Sequence, residues 1–119
     1  MGTFFHPITL YSATGETSET LEALVDTGSS FTTVPARVLE RLGVQPFARI
    51  RLRLATGQVV ERAIGEMPVE LDGLPRRTVI CVFGDPGAPA AIGAQTVESF
   101  LLGVDPDGQR LVPVEGWWA

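Results

Sequence analysis

Thirteen glycines and nine prolines punctuate these 119 residues, so the chain must turn often and has little room for long helices. Between the breaks, apolar residues come in short runs, several of them alternating with polar ones at the two-residue period of strands. Hydrophobic residues make up 45% of the chain, enough to bury a core, and the length suits one domain over residues 1–119. The expected product is an all-β domain with one or two short helices.

Residues 6–13 alternate, with Ile8 and Leu10 on one face and Thr9 and Tyr11 on the other, which predicts a strand. The polar stretch 14–19 predicts a turn, and 21–25 a second strand that runs straight into Asp26-Thr27-Gly28-Ser29-Ser30. Residues 35–42 read as a helix: Pro35 suits the first position, Val38, Leu39 and Leu42 form a stripe, and Gly43 fits just past the end. Residues 50–54 and 59–63 predict a hairpin around Ala55-Thr56-Gly57-Gln58, with one face wet. Residues 67–71 continue as a strand and Asp72-Gly73 turns it. The nearly unbroken apolar run 78–83 suits a strand buried on both faces. Ala91-Ile92-Gly93 leads into a short helix over 94–100, and Asp105-Pro106-Asp107-Gly108 turns a last hairpin ending at 110–114.

Several kinds of chemistry drop out. The net charge is −5 and the nine basic residues are all arginines, scattered without a basic run, so no cationic stripe for nucleic acid exists. Without lysine there is neither a Schiff-base amine nor a P-loop ammonium. The single histidine, His6, cannot build a His-rich metal site, and no cofactor or metal is expected. The lone Cys81 has no internal disulfide partner, which points to a reducing cytoplasm. No apolar run reaches bilayer length, and the first residues lack a signal-peptide pattern, so no membrane association is expected.

The chemistry concentrates at Asp26. A carboxylate at the end of an apolar strand is costly to ionise unless donors surround it. Gly28 lets the backbone fold tightly and turn amide N–H groups toward the acid. The Ser29 hydroxyl can donate to one carboxylate oxygen and hold it in place.

Ala23-Leu24-Val25-Asp26-Thr27-Gly28-Ser29-Ser30 resembles the hydrophobic–hydrophobic–Asp–Thr–Gly–Ser signature of aspartic peptidases. The downstream order of elements is similar to a retropepsin-like domain: a flap hairpin at about residues 50–63 with Gly57 near its tip, a buried strand, and Ile92-Gly93 ahead of a short helix. The resemblance spans roughly residues 5–115. It implies a closed acid-protease barrel, a homodimer and a polypeptide substrate. Two-lobed relatives carry two such motifs, and this chain has one, so the second Asp26 is expected from a partner across a two-fold axis. The resemblance further implies that the two Asp26 side chains share one proton, an effect for which aspartic peptidases are the standing example. The ionised acid takes a proton from water, which attacks the peptide carbonyl, while the protonated one donates to the carbonyl oxygen. Thr27 would brace the two loops across the dimer. Ala55, Thr56, Gly57 and Gln58 of the flap, with Ile92 and Gly93, are the implied substrate-cleft residues.

Viral members usually have Asp after the motif and Arg after the second hydrophobic–Gly pair, and here Ser30 and Ala94 stand there. The viral form of the dimer interface is therefore not expected. Because a fold does not guarantee activity, a non-catalytic dimerisation or peptide-binding module on the same fold is the alternative.

Elsewhere plainer readings lead. Ser29 and Ser30 lack the flanks of a nucleophile elbow for His6 to activate. Asp105 and Asp107 fit a turn better than a calcium loop. Cys81 reads as core. Arg49, Arg51 and Arg53 read as a solvated face, with a taste for acidic substrates as the lesser reading. Trp117 and Trp118 suit burial against a partner.

Overall fold

The alternation at the N-terminus becomes a two-stranded start to the fold. In the computed structural model, which describes residues 3–115, β1 (Phe4–Tyr11) pairs antiparallel with β2 (Ser18–Val25), from Phe4 opposite Val25 to Tyr11 opposite Ser18. That register turns Ile8, Leu10, Ala23 and Val25 into the core. A short strand that local pattern did not reveal, β3 (Thr32–Pro35), follows the Asp26 turn and lies parallel to β6 (Arg77–Gly84). Because Pro35 is the last residue of β3, helix α1 starts one residue later than expected and runs Ala36–Arg41, with Val38 and Leu39 buried.

The predicted hairpin is β4 (Ala48–Arg53) against β5 (Val59–Glu70). β5 is one long strand that changes partners. Residues 59–64 pair with β4, 64–69 with β6, and Val69 and Glu70 with β1. Pro68 lies beyond the reach of β4 and stands opposite Thr78 of β6. β6 is buried less completely than its composition predicted: Val79, Cys81 and Val82 are buried, Ile80 and Phe83 are half-buried, and Thr78 is exposed near the end of the ladder. Burial pushes the Cys81 thiol up to about 12, out of reach of nucleophilic chemistry.

The remaining elements are β7 (Ala91–Ile92), α2 (Ala94–Ser99), β8 (Leu102–Asp105) and β9 (Arg110–Pro113). β8 and β9 form a separate two-stranded sheet. The other seven strands form one sheet in the order β1-β2-β7-β3-β6-β5-β4. That sheet also meets itself where Thr9 and Leu10 face Glu70 and Val69. The architecture is thus mostly β with two short helices, a strongly curled sheet whose return contact spans those two residue pairs. Its interior is filled by side chains such as Ile8, Leu10, Leu39, Met67, Val79 and Ile92. Among the described residues, no helix is long and apolar enough to cross a membrane. Trp117 and Trp118 lie outside the described residues.

Candidate active site

The β2–β7 ladder leads directly into Asp26. Leu24 N–H donates to Ala90 O and Asp26 N–H to Ile92 O, both at 2.9 Å, so the backbone of the acid is anchored before the chain turns. The turn then folds back on the side chain. Gly28 N–H donates to Asp26 Oδ1 at 3.1 Å, and Ser29 Oγ donates to Oδ2 at 3.5 Å. Each carboxylate oxygen is met by one donor, as the pattern predicted, and the acid is half-buried while Thr27 and Gly28 are exposed. A carboxylate held this way is oriented yet keeps lone pairs free for another hydrogen-bonding group.

The loop is braced from behind by the start of α2. Ser29 O accepts from Ala94 N–H at 2.8 Å, and Ser30 O accepts from Gln95 N–H at 2.9 Å. Gly93 makes this approach possible: a Cβ there would sit 2.4 Å from Phe31 O. Behind it, Gly93 N–H donates to Thr32 Oγ1 at 3.2 Å, and Thr32 Oγ1 lies 2.6 Å from Thr96 Oγ1. Both threonines are fully buried, and their hydroxyls satisfy each other. Sequence reasoning missed Thr32 and Thr96. The available signal was slight: Thr32 stands two residues before the core residue Val34, and Thr96 directly before the core residue Val97.

Two cavities meet at Asp26. The larger, about 840 Å³, runs from the Asp26 loop to β4, past Phe31 and Val82, and is lined there by Ile50, Arg51, Leu52, Arg53, Leu54 and Ala55. Among the described residues, Asp26 is the one acid in its lining. The smaller, about 520 Å³, opens on the other side of the loop, between Val25, Thr27, α2 and β8, and includes Glu98.

Of the residues implied for a substrate cleft, Ala55 lines the larger cavity, whereas Thr56, Gly57 and Gln58 stand further out on the hairpin tip. Ile92 and Gly93 are buried behind the Asp26 loop and touch it through their backbone. The hairpin tip is a tight loop: Gly57 N–H donates to Leu54 O and Leu54 N–H to Gln58 O, both at 2.8 Å. Gly57 supplies the left-handed φ of 91° that the loop needs.

The other groups weighed in the sequence have ordinary roles. His6 Nε2 lies 3.1 Å from Asp72 Oδ1, and Nδ1 lies 2.7 Å from Pro7 O, so its ring is committed away from Ser29 and Ser30. Asp105 Oδ1 accepts from the N–H groups of Asp107 and Gly108, at 3.2 and 3.1 Å, which makes a turn of 105–108. Among the described residues no cluster of three or more metal-ligating side chains exists.

Residues 13–106 match the family model described as aspartyl protease. No curated protein matches the chain. Among solved structures, the retroviral protease-like domain of Ddi1 from Leishmania major is similar, with a TM-score of 0.59 and 18% identity. That match covers 95% of this chain and 89% of the other. At such low identity the likeness carries the fold, which is retropepsin-like.

Proposed function

The chain belongs to the aspartyl protease family, and from that premise we propose that it is a homodimeric aspartic endopeptidase. One observation carries the reading: the Asp26 carboxylate is oriented by Gly28 N–H and Ser29 Oγ where it borders a large cleft, and no other acid among the described residues lines that cleft. A second copy would supply the missing partner acid, since a two-fold axis beside the loop brings Asp26 next to its own twin. Thr27, exposed on the side of the smaller cavity, is free to bond across that axis.

In the pair, one Asp26 is ionised and one protonated. The ionised acid removes a proton from a water held between them, and the water oxygen attacks the peptide carbonyl. The protonated acid donates to the carbonyl oxygen, and the tetrahedral intermediate collapses as the amine leaves with a proton. The hairpin tip, Ala55 to Gln58, covers the bound peptide and limits water. Ile92 and Gly93 hold the Asp26 loop in place from behind. The buried thiol and the absence of a second cysteine suit a reducing compartment such as the cytoplasm.

Purified protein is expected to cleave members of a mixed peptide library, with pepstatin blocking it and Asp26→Asn abolishing it. A second reading, a non-catalytic dimerising or peptide-binding module, is favoured by Ser30 and Ala94, whose positions carry the interface ion pair in viral relatives. Dimers that turn over no peptide at any pH would support that reading instead.

A further inference from the structure

We propose that the cleft beside Asp26 selects peptides with acidic side chains, read by Arg51 and Arg53; this rests on the peptidase reading above for the cleft's occupant. The chain as a whole is acidic, with 14 Asp and Glu against nine Arg, yet two arginines line the larger cavity and Asp26 is its one acid among the described residues. Of the seven arginines outside this cavity, five are neutralised in place, and the other two, Arg37 and Arg77, do not line it. Arg41 pairs with Glu19, Arg49 with Glu61 and Arg62 with Asp85, each at 2.8 Å, while Arg76 and Arg110 pair with Glu70 and Asp105 at 3.1 and 3.3 Å. Among the described residues neither Arg51 nor Arg53 has a carboxylate within ion-pair distance. Arg53 Nη1 donates to Gly57 O at 2.9 Å and leaves its other donors free. Glu61 stands opposite Arg51 in the hairpin register, but its Oε1 is held by Arg49 Nε.

The sheet ends at β4, so the outer edge of that strand has no strand partner among the described residues. An extended peptide can add to such an edge through its backbone, and its side chains then alternate in step with those of β4. Arg51 and Arg53 are two residues apart on one exposed face, so the peptide positions that meet them are also two apart. Directly opposed strand residues lie about 5 Å apart, well within reach of a guanidinium, whose planar fork matches a carboxylate. The motif this cleft should prefer is therefore acid–any–acid, displaced along the strand from the bond being cut.

The test uses the full-length Asp26→Asn protein and fluorescent peptides that differ only in carrying Glu-x-Glu or Gln-x-Gln. Anisotropy should show the glutamate peptide bound on the order of tenfold more tightly at low salt, since each exposed pair contributes a factor of up to about five. The preference should shrink as salt screens the charges. Adding Arg51→Gln and Arg53→Gln should remove it, the two lysine replacements should restore part of it, and Arg37→Gln with Arg77→Gln, an equal loss of charge on α1 and β6, should leave it intact. Equal affinity for the two peptides, no affinity for either, or a preference that survives loss of both arginines would overturn the proposal. Hydrolysis by the unaltered protein, followed in parallel, separates the two claims. Preference without cleavage sinks the peptidase reading alone, and cleavage without preference sinks this one alone.

Discussion

Asp26 is held by two donors of unequal quality. Gly28 N–H at 3.1 Å belongs to the backbone and survives most substitutions, whereas Ser29 Oγ at 3.5 Å is at the limit of a useful bond and tightens only if the site closes. Ser29→Ala should therefore leave the fold intact while one carboxylate oxygen loses its guide. A hydrogen bond to a charged group contributes about 1.5–3 kcal/mol, and this long one belongs at the lower end. Turnover is expected to fall roughly tenfold with the melting temperature nearly unchanged, read from steady-state kinetics beside a thermal scan. Gly93 presents the opposite case. A methyl group there would drive into the carbonyl of Phe31 at 2.4 Å, and backbone cannot move aside as a side-chain tip can. Gly93→Ala is expected to destabilise the protein by about 1–3 kcal/mol, measured as a lower urea midpoint, with activity lost in proportion to folded protein.

At the level of elements, legibility in the sequence follows how local the cause is. The β1 alternation, the α1 stripe ended by Gly43, and the hairpin around Gly57 all depend on neighbours within a few residues, and all appear, with β1 starting two residues earlier than the pattern put it and α1 trimmed by one residue at each end. β3 and β7 do not. Four residues ending in Pro35, and two residues at Ala91 and Ile92, are strands because Cys81 to Gly84 and Leu24 to Val25 lie beside them, and no short window contains that fact. The candidate site divides the same way. The Asp26 turn was readable from its own residues, whereas the Thr32–Thr96 contact joins positions 64 apart and depends on the finished fold. The single run of β5 was hidden by its changes of partner, which give each part a different pattern of exposure. Where the cause is local, a local test applies. Gly57→Ala forces a side chain into a left-handed backbone at a cost of about 1 kcal/mol. The Leu54 and Gly57 amides, which close the hairpin tip, should then exchange with solvent about fivefold faster, while amides of β6 keep their protection.

At the scale of the whole molecule, three paired carboxylates make the stability of the fold depend on pH. Glu70 is held below its ordinary range by the Tyr11 hydroxyl and then Arg76, Asp85 by Arg62, and Asp105 by Gly108 N–H and then Arg110. A carboxyl with a depressed folded-state pKa stabilises the fold above its ordinary range and loses that contribution as pH falls through the folded value. Asp85 is exposed and Glu70 and Asp105 remain partly open to solvent, so each effect is small. The urea midpoint should hold through mild acidity and decline only below the ordinary carboxylate range. The margin over Tyr11→Phe, which deletes the first donor to Glu70, should be widest near neutrality and narrow on acidification. Assembly sets the stricter requirement. If each active centre takes one Asp26 from each of two copies, catalysis depends on pairs, and a copy carrying Asp26→Asn occupies a place in a pair without completing it. Equal amounts of the unaltered and Asp26→Asn proteins, unfolded together and refolded so that subunits exchange, should give random pairing, in which about a quarter of the dimers hold two intact acids. Activity per mole of unaltered chain should then be about half that of the unmixed protein. If that specific activity is unchanged after exchange is verified by differently labelled subunits, one copy suffices for catalysis and the two-acid centre is wrong.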